Sequence, residues 1–334
     1  MKRSGRNLIV WALWFLLVVA VLVGFKSFTI WEQVVELHAQ KRSLANLYAA
    51  RHPHFLRYLV AYPVFLGSNL TGLSSAAIFN LACLALLPAL ALILRRVELI
   101  ETSENSSEAR ITAHTIVLFS ISYFMNGRII FALFGYSILV LVLSEYFSSC
   151  RWRFSSFILC LVGILFCSVS SGVFAVAFLF LLLCLLLSVV RAFEAPTVRP
   201  AQLGMTVSII VLFAMFREFL LIGIDKNIEF YGGGIEAVWT MLDHGLGTYL
   251  TVIDPSLVLL MVPMLALAGY AGAHVVRRST ATNRVAVLAL CSALAGGIFG
   301  LSTLSVGLVP ALLVRPGPIA RIIGRSLKAP AAQV

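Results

Sequence analysis

The sequence predicts an all-α fold: a polytopic integral membrane bundle of about ten transmembrane helices, with short broken helices on the outer side and no soluble domain of any size. Three observations predict it. Hydrophobic residues make up 60% of the 334 residues and charged residues only 12%, too few to cover that much apolar surface in water. The apolar residues fall in long unbroken runs, most of them able to cross a hydrocarbon core about 30 Å thick. The basic residues sit in short clusters between those runs, the usual distribution of topology signals. The net charge of +11 therefore implies no nucleic-acid partner, and residues 1–334 read as one transmembrane domain.

Taken in order, Met1–Arg6 is a basic start and Asn7–Phe25 a first span, read as uncleaved because no A-x-A-like site follows it. Lys26–Arg57 is mixed; Ile30, Val34, Val35, Leu37, Leu44 and Leu47 give it a partly apolar face, which predicts one or two helices on the membrane surface. Phe55–Ser68 is too short for a standard span and carries Pro63, so it reads as re-entrant or as a short helix among others. Ser74–Leu94 spans and stops at Arg95-Arg96, before an acidic loop over Val97–Arg110. Two hairpins follow: Ile111–Met125 with Ile129–Phe147 around Asn126-Gly127-Arg128, and Phe154–Ser170 with Val173–Val190 around Ser171-Gly172. Leu203–Ile224 spans and carries Arg217-Glu218, Asp225–Gly247 reads as a second long polar loop, and Tyr249–Val275 spans. Val285–Val314 is too long for one upright helix, and Gly296-Gly297 and Gly300 predict a hairpin or a broken helix there.

With the N-terminus inside, seventeen Lys and Arg residues fall in inside segments and six in outside loops. That asymmetry predicts both termini in the cytoplasm and an even number of crossings. It also sorts the polar groups. The segments 26–57 and 225–247, the Arg128 turn and the Ser168–Gly172 turn all share the outer face, so a site would open outward.

Arg128 is the leading candidate. An arginine in an apolar setting costs about 2.5–3.5 kcal/mol on insertion scales unless it is paired or hydrated. Its planar fork suits a phosphate or carboxylate, although a snorkelling anchor would also be cationic. Arg217 and Glu218 are read as lying deeper, with Glu218 able to pair with Arg128 or to line an aqueous cavity; the alternative is a structural ion pair. Glu36 shares a helix face with Glu32 and is a candidate general base, as is the Asp243-His244 pair beside Gly245 and Gly247; a solvated face and a helix cap are the competing readings. His52 and His54 flank Pro53 with no third ligand nearby in sequence, and no metal or cofactor is expected. Cys83, Cys160, Cys167, Cys184 and Cys291 lie inside apolar runs and Cys150 lies beside a basic turn, so all six read as small apolar residues. There is no G-x-x-x-x-G-K-[ST], G-x-S-x-G or H-E-x-x-H motif.

Three stretches share a further pattern: HPHFLRYLVAYPVFLGSN at 52–69, FMNGRIIFALFGYSILVLVLSEYF at 124–147, and SVSSGVFAVAFLFLL at 168–182. Together they resemble the Wzy and EpsG-like bacterial polysaccharide polymerases of exopolysaccharide and O-antigen pathways. In that family an arginine opens a helix at the outer face, followed by a basic inner turn and then by a small polar or histidine cluster. Arg128 matches the arginine; Ser170, Ser171 and Gly172 stand where many members carry histidine. The resemblance implies a glycosyltransferase of the bacterial inner membrane that assembles a surface polysaccharide from lipid-diphosphate-linked sugar units. Its expected partners are the lipid-linked glycan, membrane lipids and other polysaccharide-assembly proteins. Arg128 would hold the diphosphate, and Glu36, Glu218 or Asp243 would serve as base. Two other classes stay open on the residues alone: a transporter or flippase of a lipid-linked or anionic substrate, and a non-enzymatic membrane subunit of an envelope complex. A transporter predicts internal repeats and polar residues at the midplane; a scaffold predicts that the outward charges tolerate mutation.

Overall fold

The computed structural model describes residues 3–101, 107–194, 199–234, 236–237, 240, 281–296 and 306–313. Every regular element among them is a helix. They are α1 (Arg3–Leu22), α2 (Glu32–Ala39), α3 (Leu44–Ala49), α4 (Phe55–Thr71), α5 (Ser75–Glu101), α6 (Ser107–Ser122), α7 (Gly127–Ser149), α8 (Phe154–Cys167), α9 (Ser171–Glu194), α10 (Pro200–Phe230), α11 (Ala281–Ala295) and α12 (Leu308–Leu313). Four stretches are long and apolar enough to cross a membrane: Ser75–Ile100, Gly127–Ser149, Ser171–Arg191 and Pro200–Phe230. Four shorter apolar helices accompany them, at Leu8–Leu22, Ile111–Ser122, Phe154–Cys167 and Arg284–Ala295. The expected span Tyr249–Val275 lies outside the described residues.

Helix α7 is the axis of the bundle. It is buried on nearly all sides, from Gly127 to Phe147, which is why its sequence is apolar all round rather than on one stripe. Around it pack α5, α8, α11, α9 and α12; α1 lies on α6, α4 on α5, and α10 on α9. Polar bonds register these contacts. Tyr136 Oη donates to Ala289 O at 2.6 Å between α7 and α11, Trp14 Nε1 to Leu84 O at 3.2 Å between α1 and α5, and Trp152 Nε1 to Ser208 Oγ at 2.9 Å. In a dry interior such bonds spare the donor a desolvation cost of about 1–3 kcal/mol. The outward faces carry exposed Leu8, Trp11, Phe15, Leu92, Phe154, Leu186, Leu203 and Ile210, a surface suited to lipid.

Three segments differ in detail from the sequence-based expectation. Lys26–Arg57 contains two short helices, α2 and α3, whose Val34, Leu37 and Leu47 are buried, while Val35 is exposed. Phe55–Ser68 is one continuous helix that runs on to Thr71, with Pro63 inside it and Gly72 as its left-handed cap (φ 73°). Asp225–Phe230, read as the start of a polar loop, is the last part of α10. The helix ends where Gly232, Gly233 and Gly234 take positive φ, a conformation open to glycine at no steric cost.

Candidate functional site

Three helix N-termini meet at one end of the bundle. Asn126 caps α7, its side chain accepting from Ile129 N at 2.9 Å, and so sets Arg128 in the first turn. Gly127 is required there, because a Cβ would collide with the Phe79 ring. Arg57 lies in the first turn of α4, and Ser171 opens α9. Between them is a cavity of about 410 Å³ lined on its polar side by His54, Arg57, Arg128, Ser168, Ser171 and Lys226. Phe174, Phe219, Phe230 and Tyr231 form an aromatic wall. Segments 26–57 and 225–234 both contribute to it, through Gln33, His54 and Arg57 on one side and Lys226, Phe230 and Tyr231 on the other.

The cations are held by short contacts across distant parts of the chain. Arg57 Nη2 donates to Ser171 Oγ at 3.0 Å, and its Nη1 stands 3.3 Å from His54 Nδ1. Arg128 Nη2 donates to Ser170 Oγ at 3.3 Å, while its Nε is buried with no hydrogen-bond partner among the described residues. Lys226 Nζ stands 3.4 Å from His54 Nε2. No carboxylate is among the described lining residues. Burial and then the neighbouring Arg128 bring the Arg57 guanidinium down to about 10, still a cation at neutral pH. Arginines in the first turns of α4 and α7 also oppose the positive ends of those helix dipoles. Every one of these terms becomes favourable when an anion enters.

His54 is the neutral ring between these cations. Desolvation comes first, then Arg57, Lys226, His52 and Arg128, and together they push its imidazole down to about 4. A protonated ring would set an N–H against a cationic donor on each side. A neutral ring has one lone pair, so it accepts from only one of Arg57 and Lys226 and leaves the other a donor to spare for a ligand. Between the ordinary pKa of 6.5 and about 4 the unfolded chain binds a proton here that the folded chain refuses. Stability is therefore expected to fall as pH drops through that window and to be level above it. His54→Gln should flatten the fall; thermal midpoints of both proteins across the window check this, and equal slopes would refute it.

The other candidates lie elsewhere. Glu218 is exposed and pairs with Arg51 (Nε to Oε2, 3.1 Å), away from Arg128, so it neither neutralises that arginine nor lines the cavity. Arg217 is exposed on α10. Their turn of α10 faces outward except for Phe216 and the half-buried Phe219, whose ring stacks on Phe55. Glu36 is exposed on α2, accepts from Gln40 Nε2 at 3.3 Å, and is not among the lining residues. Asp243 and His244 lie outside the described residues. His52 and His54 are neighbours at 5.6 Å between ring centroids, and no third metal ligand joins them among the described residues. Sequence reasoning missed Arg57, His54 and Lys226 as site residues. The available signal was that Arg57, like Arg128, is an arginine opening an apolar run. No protein-family model, curated protein or solved structure matches this chain.

Proposed function

We propose that the chain is a membrane glycosyltransferase that polymerises a surface glycan, taking a lipid-diphosphate-linked sugar donor in the cationic cavity. The observation that carries this reading is the grouping of Arg57, Arg128 and Lys226 around about 410 Å³ of space with no lining carboxylate among the described residues. Arg57 and Arg128 hold the diphosphate and stabilise the charge that grows on it as the sugar–phosphate bond breaks. The acceptor hydroxyl attacks the anomeric carbon; a C–O bond forms, the bond to the diphosphate breaks, and the lipid diphosphate leaves. The hydroxyl proton passes to water, because His54, whose protonated ring would face a cationic donor on each side, cannot hold it. The aromatic wall gives the sugar ring and the first lipid units an apolar surface.

On the same reading the chain crosses the bacterial inner membrane about ten times with both termini cytoplasmic, a topology supported by the seventeen-to-six basic asymmetry. The cavity then opens on the outer face, where lipid-linked units are presented. The test is a strain lacking the gene. Its surface glycan should shrink to single repeat units, with those units still on the outer face, and wild-type gene should restore the long polymer. Units trapped on the inner face would indicate a flippase, and an unchanged polymer would overturn the proposal.

A further inference from the structure

A second cavity lies at the other end of the helices that build the first. On α7 the two are lined by Arg128 and by Tyr146, a rise of about 27 Å at 1.5 Å per residue. The second cavity measures about 190 Å³ and is lined by Tyr146 and Phe147 of α7, Ser188 and Arg191 of α9, and Arg199 and Gln202 at the start of α10.

Its walls are fixed by polar bonds between helices. Gln202 Nε2 donates to Ser188 O at 2.6 Å, and Tyr146 Oη lies 3.3 Å from Ser188 Oγ. Trp152 packs edge-on against Tyr146 at 5.7 Å and donates to Ser208, which ties the start of α10 to the end of α7. The cationic groups are two arginines. The Arg191 guanidinium lies 5.0 Å from the centroid of the Phe147 ring, a cation–π contact that holds the group against the cavity wall. Arg199 is exposed and immediately precedes α10, where its charge adds to the positive helix end. Neither arginine has to be unpartnered for an anion to bind, since each guanidinium carries five N–H donors. No carboxylate is among the described lining residues.

What flanks the cavity identifies the kind of anion. Leu186 and Val190 on α9 and Leu203 and Val207 on α10 are exposed within two turns of the arginines. A small basic seat at the end of spanning helices, bordered by bare aliphatic side chains, matches a phosphate that carries acyl chains. A free phosphate would use the arginines and leave the aliphatic side chains unused. We propose that this cavity binds the headgroup phosphate of an anionic phospholipid from the adjacent leaflet, with its acyl chains lying against Leu186, Val190, Leu203 and Val207. The site is independent of what the first cavity does, since no lining residue is common to the two.

The test uses the purified full chain in neutral detergent. Thermal midpoints are titrated with phosphatidylglycerol, with phosphatidylcholine, and with glycerol 3-phosphate as the chainless headgroup. Phosphatidylglycerol should raise the midpoint saturably at concentrations where the other two do nothing. Arg191→Gln combined with Arg199→Gln should weaken that apparent affinity about tenfold or more, while Arg51→Gln, an exposed position outside both cavity linings, leaves it unchanged. Arg199→Gln alone, at an exposed position, keeps the measurement possible if the double variant does not fold; it should weaken the affinity severalfold. Equal midpoint shifts with phosphatidylcholine, full effect from glycerol 3-phosphate, or wild-type titrations from the folded arginine variants would each overturn the proposal.

Discussion

Arg128→Ala and Arg57→Ala should each abolish polymer in a complemented deletion strain, by about a hundredfold or more, while the chain remains inserted at wild-type level. The size of the loss follows from removing one charge-assisted donor aimed at a leaving group that gains charge in the transition state. Two features raise it above the effect of an ordinary surface arginine. Arg128 Nε is buried without a partner among the described residues, and leaving an N–H so costs about 1–3 kcal/mol, which a bound phosphate oxygen would recover. Arg57 reaches Ser171 and His54 at once, so its loss loosens both neighbours as well as the anion seat. Lysine separates clamp from anchor: Arg128→Lys keeps charge and length but loses the planar fork, and should retain only a small part of the activity. The double alanine variant should be scarcely worse than either single one, because the two guanidiniums act on one diphosphate. Arg51→Ala and Glu218→Ala, which remove an exposed ion pair, should leave polymer nearly unchanged, as surface pairs contribute about 0–1 kcal/mol. Polymer length on gels, with protein level by immunoblot, checks all of these. Full-length polymer from both alanine variants would end the assignment of these arginines to the site.

What the residues alone disclosed, and what they hid, divides along physical lines. Apolar runs are a local property, so α5, α7, α9 and most of α10 are legible from hydropathy without any knowledge of neighbours. Arg128 is legible for the same reason, being an isolated charge between two such runs. Arg57 was absorbed into a polar segment that already held four other basic residues, and the one local mark that sets it apart from Arg51 or Arg42 is the apolar run it opens. Its partner Ser171 is 114 positions away, and the partner of His54, Lys226, is 172 positions away. Only the packing of α4 beside α5 and α8, and of α10 on α9, brings these groups together. Glu218 shows the converse. Its place in an apolar run suggested a pair with Arg128 or a place on an aqueous cavity, but the turn of α10 that carries it faces outward, and Arg51 is within reach there. The end of α10 was misread because Asp225, Lys226 and Asn227 are polar. Composition marks solvation, whereas the backbone keeps turning until a residue favours another conformation, here at Gly232.

Gly135→Leu should leave no properly folded protein in the membrane, and Gly135→Ala should lower the thermal midpoint and the activity together. Gly135 on α7 faces Gly163 on α8 at backbone contact. A Cβ built on Gly135 would lie 2.5 Å from Gly163 O, 2.6 Å from Phe166 Cβ and 2.9 Å from Cys167 N. A Cβ on Gly163 would lie 2.9 Å from Gly135 O and 2.9 Å from Leu139 Cδ2. Most of these atoms are backbone, so no rotamer change clears them and the two helices must separate. In lipid, close approach of small residues is a main source of helix association, because burying apolar side chains gains little over lipid contact. Overpacking a tight site costs about 1–3 kcal/mol even where side chains can shift, and the rigid surroundings here place Gly135→Ala at the upper end. The consequence reaches the cavity through the chain itself. Helix α8 ends at Cys167 and leads within four residues to Ser170 and Ser171, the hydroxyls that meet Arg128 and Arg57. Moving α8 away from α7 therefore withdraws the serines from the arginines before the bundle as a whole fails. Gly67→Ala is the control: in helix α4 its Cβ would meet only Ile78 Cγ2, at 3.4 Å, and a helical alanine in place of glycine gains up to about 1 kcal/mol. Unfolding midpoints in detergent should thus move in opposite directions for the two alanine variants. A Gly135→Leu protein with wild-type midpoint and polymer would show that α7 and α8 do not touch at this point.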